Sequence, residues 1–211
     1  MVNIFLGGIM IEEGNSFVHW NYYCALDQDL IIIARYIEFT KANNPVFSIE
    51  LAKLLIASSS EIDVVMKQLC KLVDPNFSKR NPDINDYKGI IRTLLPDLIT
   101  ETAYINRYSL AFTPWINWEG NVNPDFWKGY NKVKHHRDTN YPEANLKNVL
   151  HSMAALLITN FYYYKILFVN AEPEKKFESD DIILRLGEEK TLITLKDKYY
   201  PSRLLLNKGP L

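Results

Sequence analysis

The chain has 211 residues, 47% apolar and 23% charged, with thirteen Tyr, ten Phe and four Trp; this excludes a disordered or low-complexity protein and is enough for one substantial core. A net charge of −1 provides no global attraction to nucleic acid or to an anionic membrane, so any such affinity has to come from a local patch. Cys24 and Cys70 sit in apolar helical patterns without a second Cys or a His at metal-ligand spacing, which points to a reducing, cytoplasmic setting with no metal or cofactor.

Residues 1–11 are apolar but lack a positive n-region and are broken by Gly7 and Gly8, so they do not read as a signal peptide. No run approaches the roughly 20 apolar residues of a membrane span, because the longest candidate is interrupted by Thr159, Asn160 and Lys165. Residues 16–42 predict a long helix: Leu26, Leu30, Ile33 and Ile37 recur at helical spacing, and Ser16 is a suitable cap. Ser48 predicts the cap of a second long helix, whose stripe of Leu51, Leu55, Ile62, Val65, Leu69 and Leu72 stops at Asp74-Pro75. A link of about five residues between them implies antiparallel packing. Ser58-Ser59-Ser60, with Glu61, Asp63 and Lys67, interrupts the stripe; a solvated face is the ordinary meaning, and carboxylates lining a cleft the functional one.

Residues 76–85 read as a loop, and about 86–95 as a short helix closed by Pro96, with Arg92 exposed. Residues 104–118, rich in aromatics and with an internal Pro, predict an extended arm or edge strand laid against the bundle. Asn123-Pro124-Asp125 then opens a helix running to Arg137, and a short turn leads into a helix over 143–168 with Leu146, Leu150, Met153, Leu157 and Tyr164 on one stripe and Asn160 on the same line. Those two form a helical hairpin. Residues 181–186 and 191–195, around a Gly-containing turn, predict a β-hairpin, and 199–206 a cover for the bundle or a partner. The expected fold is one mainly α domain over 1–211: an antiparallel helical bundle of about five helices (core about 16–168), with a small extended or β-hairpin appendage in a C-terminal extension from about 176.

The helix from Phe126 to Arg137 is the densest concentration of positive charge and titratable nitrogen in the chain. Trp127, Lys128, Tyr130 and Lys132 are candidates for nucleic-acid binding, since Lys and Arg neutralise phosphates and rings stack on bases. Basic residues late in a helix also stabilise its dipole, and that is the plainer reading. Helical periodicity puts Asn131, Lys134, His135 and Asp138 on one face, with Phe126, Tyr130 and Val133 packing inward. Histidine is the usual side chain for proton transfer at physiological pH, so His135 is the candidate general acid or base, Asn131 one turn earlier its orienting group, and Lys134 or Arg137 a stabiliser of charge on phosphorus. His19 and His151 read as hydrogen-bonded structural histidines. Gly-rich phosphate loops, nucleophile elbows and His-Glu-x-x-His patterns are missing from the sequence, which argues against common kinases, hydrolases and metalloenzymes.

Tyr130-Asn131-Lys132-Val133-Lys134-His135, followed by a long helix, resembles the HEPN superfamily of small α-helical bundles, whose motif is Arg-Asn-x-x-x-His. The resemblance implies a homodimer in which two motif copies form one cleft, and RNA cleaved without a metal in defence or toxin–antitoxin systems. Asn131 and His135 stand at the motif's Asn and His, whereas Tyr130 stands at its Arg; Lys134 or Arg137 then has to replace that charge, or the site no longer cuts. The alternative is a non-catalytic interaction module, antitoxin-like or a regulatory subunit with a protein partner, using the aromatic arm around Trp115 and Trp118. A third reading is a small-molecule enzyme with Glu61 and Asp63 buried near His135.

Overall fold

Residues 17–187 and 190–201 are described by the computed structural model, so segment 1–11, the Ser16 cap and the residues after Pro201 lie outside the described residues. The elements are α1 (Val18–Ile33), α2 (Ile49–Val73), α3 (Ile84–Leu94), α4 (Asp97–Thr100), β1 (Ala103–Ile105), β2 (Leu110–Phe112), α5 (Asp125–Asn140), α6 (Leu146–Ala171) and α7 (Asp181–Leu186). The fold is a helical bundle with one small antiparallel sheet, as the sequence predicts in class.

At its centre lie α2 and α6. Ser58 Oγ and Ser152 Oγ are 2.8 Å apart, and farther along both helices the Tyr163 hydroxyl donates to Gln68 Oε1 at 3.1 Å. The two ties follow in the same order on both helices, so α2 and α6 run parallel. The Ser58-Ser59-Ser60 stretch is therefore not a solvated face: Ser58 and Ser59 are fully buried. Small side chains let the helices approach, and Ser58 Oγ returns its proton to Leu54 O at 2.7 Å, so the hydroxyl needs no water.

The cap predicted at Ser48 forms, its Oγ accepting from Leu51 N–H at 3.1 Å. α1 runs antiparallel to α2, with His19 in its first turn meeting Glu61 and Gln68. It ends at Ile33, short of the predicted residue 42, and the link to α2 is residues 34–48. Phe39 explains the early stop: its ring turns into the core against Tyr108, centroids 5.0 Å apart. α3 begins two residues early because Asp83 and Asp86 form a reciprocal capping box. α6 begins later than predicted, after a 3-10 turn at Tyr141–Glu143, and is capped by Asn145.

Two β expectations need correction. The arm is a hairpin, with Ala103 opposite Phe112 and Ile105 opposite Leu110, and Trp115 and Trp118 beyond it are fully buried, rings 4.4 Å apart, rather than displayed. The predicted second hairpin does not form, because 181–186 is helical. Ile182, Ile183 and Leu186 are buried at spacings of one helical face, so packing overrides their β-branched composition. Thr194 still pairs with Tyr104 as an isolated bridge on the real hairpin's edge. The C-terminal segment is tied to α1 by Asp27, whose carboxylate accepts from Leu192 N–H at 2.7 Å and Ile193 N–H at 3.3 Å.

α6 is long and apolar enough to cross a membrane by length and composition, contrary to the expectation that no segment is, but 78% of its apolar window is buried inside the bundle. It is the core helix.

Candidate functional site

α5 lies against α2 and α6 through Phe126, Trp127, Tyr130 and Val133, all buried. Phe126 packs edge-on to Trp115 at 5.6 Å, Trp127 lies 5.3 Å from Tyr130, and the Tyr130 hydroxyl and Ser60 Oγ are 3.2 Å apart. Gly129 lets the α5–α6 hairpin close: a Cβ there would lie 2.5 Å from Asn148 Nδ2. Trp127 and Tyr130 therefore sit in the core with their rings covered, and neither presents a face to a base. The buried stripe is wider than Phe126, Tyr130 and Val133 alone, because α5 fits between two helices.

The outer face carries the charge. Lys128 pairs with Asp125 at 3.2 Å and Lys132 with Glu143 at 2.5 Å, both exposed pairs. Asn131 is half-buried. The Lys134 ammonium sits 5.3 Å above the Tyr130 ring, and among the described residues neither it nor Arg137 has an ion-pair partner. The helix breaks at His136 (φ −143°, ψ 51°), whose carbonyl accepts from Thr139 Oγ at 3.3 Å and Asn140 Nδ2 at 3.0 Å. Because of that break, Lys134, His135, His136 and Arg137 are all exposed in succession. Asp138 no longer continues the Asn131–Lys134–His135 face that uninterrupted periodicity predicts.

Past the break lies an open groove of about 680 Å³, lined by Arg137, Asp138 and Tyr141 on one side and Ile49, Ala52 and Lys53 of α2 on the other. Ile49 is 67% exposed. The sequence offered no signal for this groove, because it depends on where the first turn of α2 meets the end of α5.

The remaining titratable candidates are structural. His19 Nδ1 lies 2.5 Å from Glu61 Oε1 and its Nε2 3.0 Å from Gln68 Nε2, so it is hydrogen-bonded as predicted. His151 instead sits edge-on to Phe112 at 5.2 Å; burial lowers its pKa, helped by Lys147 and opposed by Asp125. Asp63 accepts from the Tyr87 hydroxyl at 3.1 Å. Glu61 and Asp63 are thus held by α1 and α3, and the pairing with His135 that a small-molecule cleft needs is not built. Sequence reasoning missed Glu101, a buried carboxylate that accepts from Tyr199 at 2.7 Å, Tyr162 at 3.4 Å and Lys196 at 3.2 Å. Burial works against its ionised form, but the hydrogen bonds from Tyr199, Lys196 and the Thr102 N–H prevail and hold its pKa below the usual range. Among the described residues no three His, Cys, Asp or Glu side chains are grouped to hold a metal.

Comparison with family models, curated proteins and solved structures finds no match.

Proposed function

We propose that the outer face of α5 binds RNA through its phosphates, in a HEPN-like helical protein of a defence or toxin–antitoxin type. The observation that carries this is the run Lys134–Arg137: four consecutive exposed side chains, two cationic and two imidazole, on a chain of net charge −1. Two unpaired cations beside two titratable rings are suited to a polyanion, and phosphate contact needs no base-stacking ring. Base contact then falls to the groove beside Tyr141, since Trp127 and Tyr130 are covered. A cytoplasmic setting belongs to the same reading and is supported by the two free, buried cysteines.

Metal-independent cleavage is the stronger form of the proposal, with His135 as acid or base, Asn131 as its companion and Lys134 or Arg137 in place of the motif's Arg. Incubating single-stranded and structured RNA with chelated protein, wild type and His135→Ala, tests it on a gel. Cleavage by the wild type alone establishes a ribonuclease; salt-sensitive binding without cleavage leaves an RNA-binding protein; salt-insensitive or absent binding removes the RNA reading.

A second reading, a protein-interaction module, rests on one observation: Val46, Phe47 and Ile49 are exposed apolar side chains beside the groove. Trp115 and Trp118 no longer support it, because both are buried.

A further inference from the structure

The turn after the His136 break brings three side chains to one place. Arg137, Asp138 and Tyr141 line one side of the groove, above Ile49 and Ala52 from the first turn of α2. Tyr141 is half-buried, and the Phe47 ring braces it edge-on at 5.3 Å. At about 680 Å³ the groove falls within the range of about 300–1,000 Å³ usual for small-ligand sites. Lys53 reaches the rim, but its ammonium is held by Glu50 at 2.8 Å. Arg137 and Asp138 remain. Both are exposed, and among the described residues neither makes an ion pair and the Asp138 carboxylate accepts no hydrogen bond. Arg137 suits a phosphate. A bare carboxylate next to it does not: Asp138 repels a polyanion lying in the groove unless another part of the nucleotide donates to it.

We infer that the groove is a subsite for one unpaired guanine, with the base on Tyr141, its Watson–Crick edge donating to Asp138 and the adjoining phosphate on Arg137. The inference rests on the RNA reading of α5 and names the class of RNA that this face takes. A carboxylate has two oxygens that only accept, so its best match is an edge with two neighbouring donors. Guanine has such an edge, N1–H beside the N2 amino group. Adenine and cytosine set an acceptor ring nitrogen beside their one amino group, and uracil flanks its N3–H with two carbonyls. Each of these turns an acceptor toward the second carboxylate oxygen. Stacking on Tyr141 adds affinity without selectivity, because every base has a π-face. Guanine's Watson–Crick edge is free only outside a duplex, so the subsite takes loops and single strands. The break at His136 serves this arrangement, since it takes Asp138 off the face of Lys134 and His135 and brings it to the groove.

Fluorescence anisotropy tests it, with labelled hexauridylates carrying guanosine, adenosine, cytidine or inosine at one central position and read at low salt. The guanosine oligomer should bind the wild type about tenfold tighter than the adenosine, cytidine or all-uridine ones, and lose that advantage when annealed to its complement. Inosine, which lacks the N2 amino group, should fall in between. Asp138→Asn, an exposed and nearly isosteric change, should bring these affinities together while every oligomer still binds. Equal, salt-sensitive affinity for all bases overturns the subsite and leaves phosphate binding by α5 standing, as does a guanosine preference that Asp138→Asn leaves intact. Absence of binding to any oligomer removes the RNA reading, and the subsite with it.

Discussion

Gly129→Ala should destabilise the protein although it replaces a helix-interior glycine with the best helix former. The added Cβ meets Asn148 Nδ2 at 2.5 Å and its Cγ at 3.2 Å, with Glu143 O at 3.5 Å. Asn148 cannot give way cheaply: it is buried, its amide donates to Glu143 O at 2.8 Å, and its backbone N–H is held by Asn145 Oδ1 at 3.0 Å. Relieving the contact needs a shift of about 1 Å, because carbon packs comfortably only from about 3.5 Å. Losing the amide's bond costs about 1–3 kcal/mol and overpacking another 1–3 kcal/mol or so, against a gain of about 1 kcal/mol in helix propensity. The net loss is about 3 kcal/mol, roughly a 10 °C fall in Tm for a chain of this size. Gly89→Ala is the control: it lies exposed inside α3 with nothing within 4 Å of its Cβ, and should gain up to about 1 kcal/mol. Melting followed by far-UV circular dichroism measures both. An Asn148→Ala background should abolish the Gly129→Ala penalty. If Gly129→Ala is as harmless as Gly89→Ala, or its cost persists without Asn148, the hairpin is not closed by this contact.

Two further predictions concern buried groups. Burial raises the Asp27 carboxyl to about 6, outweighing the hydrogen bonds from Leu192, Ile193 and Tyr23. Its folded pKa exceeds the unfolded value, so the folded state binds more protons between about pH 4 and 6 and loses up to about 3 kcal/mol as pH rises through that window. Urea midpoints measured across it should show this slope in the wild type and lack it in Asp27→Asn; parallel profiles would refute the assignment. Tyr130→Arg, which restores the HEPN motif in sequence, should cost about 3–5 kcal/mol, because position 130 is 3% exposed and a guanidinium there would be a charge buried in the core in place of a ring. Unchanged stability of that variant would mean that Tyr130 is not core.

The helical class, the Ser48 cap and the inward stripe of α5 were legible because periodicity and capping are local signals. What the sequence hid depended on tertiary partners. Ser58 and Ser59 look polar in a string and are buried because α6 brings Ser152 beside them. Residues 181–186 look like a strand and form a helix because Ile182, Ile183 and Leu186 have a surface to cover. The aromatics of α5 illustrate the same limit at the site: composition identified a basic, ring-rich helix, but only packing shows that its rings face inward and its cations outward. The break at His136, which exposes Arg137 and opens the groove, has no Pro or Gly to announce it.

RNA affinity as a function of salt tests the central claim most directly. For single-stranded RNA the wild type should lose affinity steeply as salt rises, and Lys134→Ala and Arg137→Ala should each reduce the slope of log K against log salt by about 0.7. Lys128→Ala and Lys132→Ala, whose ammonium groups are held by Asp125 and Glu143, should change it less. A slope near zero, or one that Lys134→Ala and Arg137→Ala leave intact, would contradict phosphate binding by the outer face of α5.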